Sequence, residues 1–208
     1  MKKTSILLII LLIVSSTLIF YSCDTTSDNT ECAKECYNYL AEAHEICDDL
    51  LGDIYNAWYF ALYEADDCSE FNAQSEFLNS LKFYNDIETT PEKNKFSLKI
   101  AYQIQEMGSN TDIYYLSNPN AVLSLVKYMY SDKITRANEL LSSANITLKS
   151  ILENQEGYST LKSYYLELKS CLDFCQSPDT SFEQLGTTRA DYQKNLNEYK
   201  NELEFILN

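Results

Sequence analysis

The sequence predicts an all-α fold, an antiparallel bundle of five or six helices stapled by disulfides, on three observations. Only 4 Gly and 3 Pro interrupt 208 residues, and Leu, Ala, Glu, Lys, Asn and Ser fill the stretches between them, a composition that suits helices joined by few loops. Apolar residues recur at spacings of three and four along most of the chain, the mark of one buried helix face. Six cysteines follow residue 30, an even number that points to disulfides in an exported chain. With 45% hydrophobic residues the chain can bury one core and is short for two, so a single domain is expected.

Export is read from the N-terminus. Lys2 and Lys3 form a basic start, and residues 6–21 are uncharged and mostly apolar. At ~1.5 Å per residue that run spans about 24 Å, short of the roughly 30 Å hydrocarbon core of a bilayer. The run ends Ile19-Phe20-Tyr21-Ser22-Cys23. These residues resemble the lipobox of bacterial lipoproteins: apolar residues, a small residue before the cut, and the cysteine that receives the lipid. The resemblance implies a signal peptide over 1–22 and a mature protein that begins at diacylated Cys23, with palmitate as a typical acyl chain. Each buried CH₂ contributes ~0.8 kcal/mol, so two or three chains hold firmly. Residues 23–30 then read as the lipidated cysteine and a polar, flexible tether, and 31–208 as the helical domain.

The helices follow in order. Cys36, Leu40, Ala43, Cys47, Leu50, Ile54 and Ala57 form a four-three stripe, which Trp58, Ala61 and Ala65 extend. A first helix is expected from about residue 30 to about 65, opened by Asp28-x-x-Glu31 and kinked at Gly52. A second is expected over about 70–87, broken off by Pro91 from a third over about 92–107. Residues 109–118 have no period and read as a loop, with a turn or short strand at 113–116. Asn118-Pro119 is a strong start, a capping side chain before proline at the first helical position. It opens a long helix bent near Ser131-Asp132 and ended at Gly157. The next carries Leu161, Tyr165, Leu168, Leu172 and Cys175, and turns at Ser177-Pro178-Asp179. Thr188-x-x-Asp191 starts the last, with Tyr192, Leu196, Tyr199, Leu203 and Ile206 on its seam.

The disulfide candidates are Cys32, Cys36, Cys47, Cys68, Cys171 and Cys175. Cys32 and Cys36 lie one helical turn apart, as do Cys171 and Cys175. On antiparallel helices the two pairs can be stapled twice, Cys32 with Cys175 and Cys36 with Cys171. Such twin pairs resemble the stapled hairpins of small intermembrane-space chaperones, which are far shorter. Cys47 and Cys68 would lie about 31 Å apart on continuous helix, so they pair only if the chain folds back between them, or else Cys47 bonds another of the six. A metal site would start from His44 and Cys47 at i, i+3, but in an oxidising compartment oxidised cysteine is the simpler expectation. No metal or cofactor is expected.

The formal charge is −15, and loss of Lys2 and Lys3 leaves 14 basic against 31 acidic residues, or −17. No basic cluster interrupts it, so nucleic acid is not an expected partner. The chain has no Gly-x-Ser-x-Gly, no His-Glu-x-x-His and no phosphate-cradling glycine loop, and His44 is its single histidine. Asp48, Asp49, Asp53, Asp66 and Asp67 read as a solvated helix face, and no catalytic residue is expected. Seventeen tyrosines and nine phenylalanines remain. Most are expected in the core, and Tyr55, Tyr59, Tyr63, Tyr114 and Tyr115 are the candidates for a partner surface, because Tyr is enriched in recognition surfaces. The expected protein is a lipoprotein of the cell envelope, on the periplasmic side or the cell surface, that acts by binding. In gross plan it resembles the helical surface lipoproteins of spirochaetes. An envelope structural or assembly factor is the alternative, and an enzyme with an unmarked carboxylate site is a third.

Overall fold

The computed structural model describes residues 26–69, 72–106 and 112–207. Among these residues it is all-helical, with nine α-helices and no strand. The signal, Cys23 and the first residues after it lie outside the described residues. No described helix is long and apolar enough to cross a membrane.

Helix α1 (Thr26–Tyr59) is the longest element, and it opens inside the stretch expected as tether. The seven stripe residues from Cys36 to Ala57 are all fully buried. Asn29, read from sequence as tether, is 2% exposed and accepts a hydrogen bond from the Leu152 amide, 3.3 Å. Gly52 leaves the helix unbroken, and a Cβ there would lie 3.7 Å from the Arg189 guanidinium. The irregularity comes later, as a π-helical turn (Phe60–Glu64) and a 3₁₀ turn (Ala65–Asp67). There Phe60 packs edge-on against Phe77, centroids 5.5 Å apart.

The second expected helix is two. Helix α2 (Ala73–Ser80) stops where Leu81 turns extended, and α3 (Lys82–Asn85) follows. Helix α4 (Thr90–Glu106) starts earlier than expected. The Glu92 amide donates to Thr89 Oγ1, whose hydroxyl donates back to the Glu92 carboxylate, a side-chain cap that places Pro91 in the first turn. Residues 112–116 form neither turn nor strand but a short helix, α5 (Asp112–Leu116).

Helix α6 (Pro119–Met129) starts as expected, the Asn118 side chain accepting from the amides of Asn120 and Ala121. The bend falls at buried Tyr130, between α6 and α7 (Ser131–Ser150). Gly157 begins a helix rather than ending one: at φ +85° it precedes α8 (Tyr158–Gln176). Helix α9 (Phe182–Leu207) starts six residues before Thr188. Its opening capping box is Ser181 with Gln184, each side chain accepting from the other's amide.

Helix α1 is the common partner of α6, α7, α8 and α9. Its contacts fix their directions. Arg136 grips Glu42 in a two-pronged ion pair, and Cys36 meets Ala144, so α7 runs antiparallel to α1. Tyr37 bonds Glu204 and Asp48 bonds Gln193, so α9 is antiparallel too. His44 on α1 meets Tyr164 on α8, and Thr160 bonds Glu202 while Ser170 bonds Tyr192, so α8 is antiparallel to α9 and runs parallel to α1.

Candidate functional site: a buried thiol seam and an aromatic tip

The parallel course of α1 and α8 decides which thiols meet. Cys32 and Cys36 lie near the start of α1, whereas Cys171 and Cys175 lie near the end of α8. The two pairs therefore sit at opposite ends, and the twin staple expected for antiparallel helices does not form: Cys36, Cys171 and Cys175 carry free thiols. The Cys36 thiol donates to the Ala144 carbonyl, 3.5 Å, and burial together with Glu35 pushes its pKa up to about 12. Cys68 is likewise free, donating to the Glu64 carbonyl at 3.4 Å, while Cys47 is in the core.

Across from Cys47 stands Cys171. Its thiol titrates under the influence of Cys47 on α1 and of Cys175 one turn along α8, and all three residues are fully buried. The hydrogen bond to Cys171 and burial hold the Cys47 thiol well above its ordinary pKa. The Cys171 thiol is also raised, first by its bond to Cys175 and then by burial, against a lowering by Cys47. Thiols held protonated and away from solvent are poor nucleophiles, so the seam does not resemble a cysteine active site.

One turn before Cys47, His44 is buried, 6% exposed. Its Nδ1 lies 2.7 Å from the Tyr164 hydroxyl. Burial lowers the imidazole pKa, and the phenol is raised, again by burial first, so both partners favour their uncharged forms. Among the described residues no group of three or more His, Cys, Asp or Glu side chains is arranged to hold a metal ion.

The acidic run divides. Asp66 and Asp67 are exposed, and Asp49 forms ion pairs with Lys82 and Lys133. Asp53, expected on a solvated face, is fully buried. It accepts from the amides of Lys82 and Phe83, 2.7 and 2.8 Å, and from the Tyr130 hydroxyl. Burial raises this carboxyl's pKa, against the lowering by its three donors. With three structural donors on its two oxygens, it ties α1 to α3 and to Tyr130.

Tyr55, Tyr59 and Tyr63 recur every four residues and gather around Phe182 at the start of α9. Tyr55 stacks on Phe182 with centroids 5.1 Å apart, and Tyr59 and Tyr63 approach the same ring at 6.3 and 5.7 Å. The Arg189 guanidinium lies 5.1 Å from the centre of the Tyr55 ring. Exposure rises outward, with Tyr59 at 43% and Tyr63 at 58% beside Leu62 at 45%. This tip stands at the far end of α1 from Thr26. Helix α5 packs against the 3₁₀ turn there, which brings Tyr114, 76% exposed, to the same end. Tyr115 is instead 8% exposed, its hydroxyl donating to the Ala121 carbonyl at 3.2 Å. Phe182 and Arg189 carry no local signal in the sequence, since only the antiparallel return of α9 brings them to the tyrosines. Comparison with protein-family models, with characterised proteins and with solved structures finds no match to this chain.

Proposed function

We propose that this chain is an exported, lipid-anchored protein of the cell envelope or cell surface whose helical domain binds a protein partner through the aromatic tip. The observation that carries the reading is the outward series Tyr55, Tyr59 and Tyr63 around Phe182 and Arg189, half of it open to solvent. Tyr supplies large contact area at low entropic cost, and Tyr and Arg are both enriched where binding energy concentrates. The packing of α1 against α7, α8 and α9 supports an antiparallel bundle as the scaffold, with α8 alone parallel to α1. The resemblance of Ile19-Phe20-Tyr21-Ser22-Cys23 to a lipobox supports the anchor. Helix α1, 34 residues long, spans about 51 Å, so the tip can stand that far from an anchor attached near Thr26.

Two measurements test the two halves of the proposal. Palmitate labelling of growing cells should mark the wild type and not Cys23→Ala; equal labelling, or none, removes the anchor. A photo-crosslinking residue at Leu62 should capture a discrete protein adduct in intact cells. One at Lys194, 72% exposed on α9, should not. The same pattern at both positions removes the tip as a docking site.

A further inference from the structure

We infer that the aromatic tip takes a basic protein partner, an arginine- or lysine-bearing segment that lies across Tyr59 and Tyr63 with its cations against the carboxylates around them. The inference rests on the docking proposed above and deepens it by naming the partner's chemistry. The exposed rings carry a rim of one sign. Glu64, Asp66 and Asp67 follow Tyr63 through the π-helical and 3₁₀ turns, and Glu183 follows Phe182, the ring that Tyr59 and Tyr63 approach. All four carboxylates are exposed, and none is held in an ion pair among the described residues.

The chain supplies this rim with no cation of its own. No Lys or Arg occurs between Lys34 and Lys82, a stretch that takes in most of α1, both irregular turns and α2. The cations that α6 and α9 bring toward this end are engaged: Lys127 donates to the Gln176 carbonyl, 3.1 Å, and Arg189 rests over Tyr55. Arg189 also shows the mode of contact, a guanidinium on the first ring of a series whose next two rings are open. A cation within about 6 Å of a ring centre is drawn to its face, and a carboxylate beside the ring adds charge attraction. An acidic partner would meet like charges, and an apolar one would desolvate the carboxylates without pairing them. The formal charge of −15 extends the same preference to long range, steering basic partners inward.

The test uses the full-length chain in a non-ionic detergent, with a fluorescein-labelled peptide of alternating Gly and Arg as probe and one of alternating Gly and Glu as its opposite. Fluorescence anisotropy should show the Arg peptide binding and the Glu peptide not. Glu64→Gln/Asp66→Asn/Asp67→Asn should weaken the Arg peptide by at least about tenfold. Glu31→Gln/Glu153→Gln/Glu156→Gln removes the same charge from exposed positions at the opposite end, where the Leu152 amide meets Asn29, and should change binding by less than about twofold. Tyr59→Ser/Tyr63→Ser alters no charge and should weaken binding by about as much as the tip triple. Glu183→Gln, a single change on α9, should weaken it about threefold and answers the same question if the triple does not fold. Equal weakening by the two triples, or none from the tyrosine pair, overturns a basic partner at the tip. In intact cells, an adduct from Leu62 that persists in the tip triple overturns the basic partner and leaves the docking site standing. An adduct with a second copy of this acidic chain also overturns it. No adduct from the wild type removes the docking reading, and the inference with it.

Discussion

The Tyr130 hydroxyl donates a 2.9 Å hydrogen bond to Oδ2 of Asp53, tying the junction of α6 and α7 to the C-terminal turns of α1. The same carboxylate receives the amides of Lys82 and Phe83, so it caps α3 from a helix 29 residues away. Hydrogen bonds to a charged group contribute about 1.5–3 kcal/mol, and a buried donor left without a partner costs about 1–3 kcal/mol. Tyr130→Phe removes one bond and should destabilise by about 1.5 kcal/mol. Asp53→Ala strands three donors and should cost at least about 3 kcal/mol. Urea denaturation measures both; equal losses for the two variants would contradict a shared hub.

His44 gives a second prediction, in pH. Burial lowers its pKa from the ordinary 6.5; Lys200 lowers it further, while Asp48 and Glu45 pull the other way. A base depressed in the folded state binds its proton more readily when unfolded. The stability it contributes is therefore complete above the ordinary value and is lost as pH falls from 6.5 through the folded pKa. His44 is the chain's one histidine, so the interval between about pH 7 and 5.5 is largely free of other side-chain titrations. The denaturation midpoint of the wild type should fall across that interval. His44→Gln should flatten the fall, and an unchanged slope would show that the imidazole is not the linked group.

Gly157 is the described residue with a positive φ, +85°, and it turns the chain into α8. An added Cβ would meet Ile206 at 3.3 Å and Leu203 at 3.6 Å. Gly157→Ala thus meets both backbone strain and crowding, and should cost about 1–3 kcal/mol. Gly52→Ala should be neutral or slightly stabilising by comparison, since that site is ordinary helix with its nearest contact at 3.7 Å. Thermal unfolding of the two variants side by side checks the contrast.

What could be read in the sequence was what a single helix shows of itself. The stripe from Cys36 to Ala57 is buried residue for residue because a four-three spacing has one face to hide. Asn118-Pro119 starts its helix because cap and proline act within one turn. Two starts were also written locally, Thr89 with Glu92 and Ser181 with Gln184, but Pro91 and Thr188 gave competing signals nearby. Helix α9 runs through Gly186, where a Cβ would lie 3.5 Å from Tyr55, so tertiary packing carries a stretch of weak propensity. The direction of α8 against α1 was not legible, because it depends on the order in which the helices fold back. That direction alone moves Cys171 from Cys36 to Cys47. For the same reason Asp53, one acidic residue in a run of them, gave no sign that it would be buried to cap α3.

The exposed tyrosines separate binding from folding. Tyr59 and Tyr63 touch each other and Phe182, with centroids 5.1 Å apart for the tyrosine pair, yet both stay substantially open. Replacing both with Ser removes most of the tip's aromatic area. Their partial exposure limits the cost to stability to about 1 kcal/mol, a small fraction of a domain's total. Truncation of a clustered aromatic pair at a protein interface costs about 2 kcal/mol or more in binding, a loss of roughly thirtyfold in affinity. The Tyr59→Ser/Tyr63→Ser variant should therefore unfold cooperatively near the wild-type midpoint while the adduct captured from Leu62 falls away. If capture persists at wild-type yield in a folded variant, the tip is not where the partner binds. If capture and fold are lost together, the tyrosines act through the packing of Phe182 on α1.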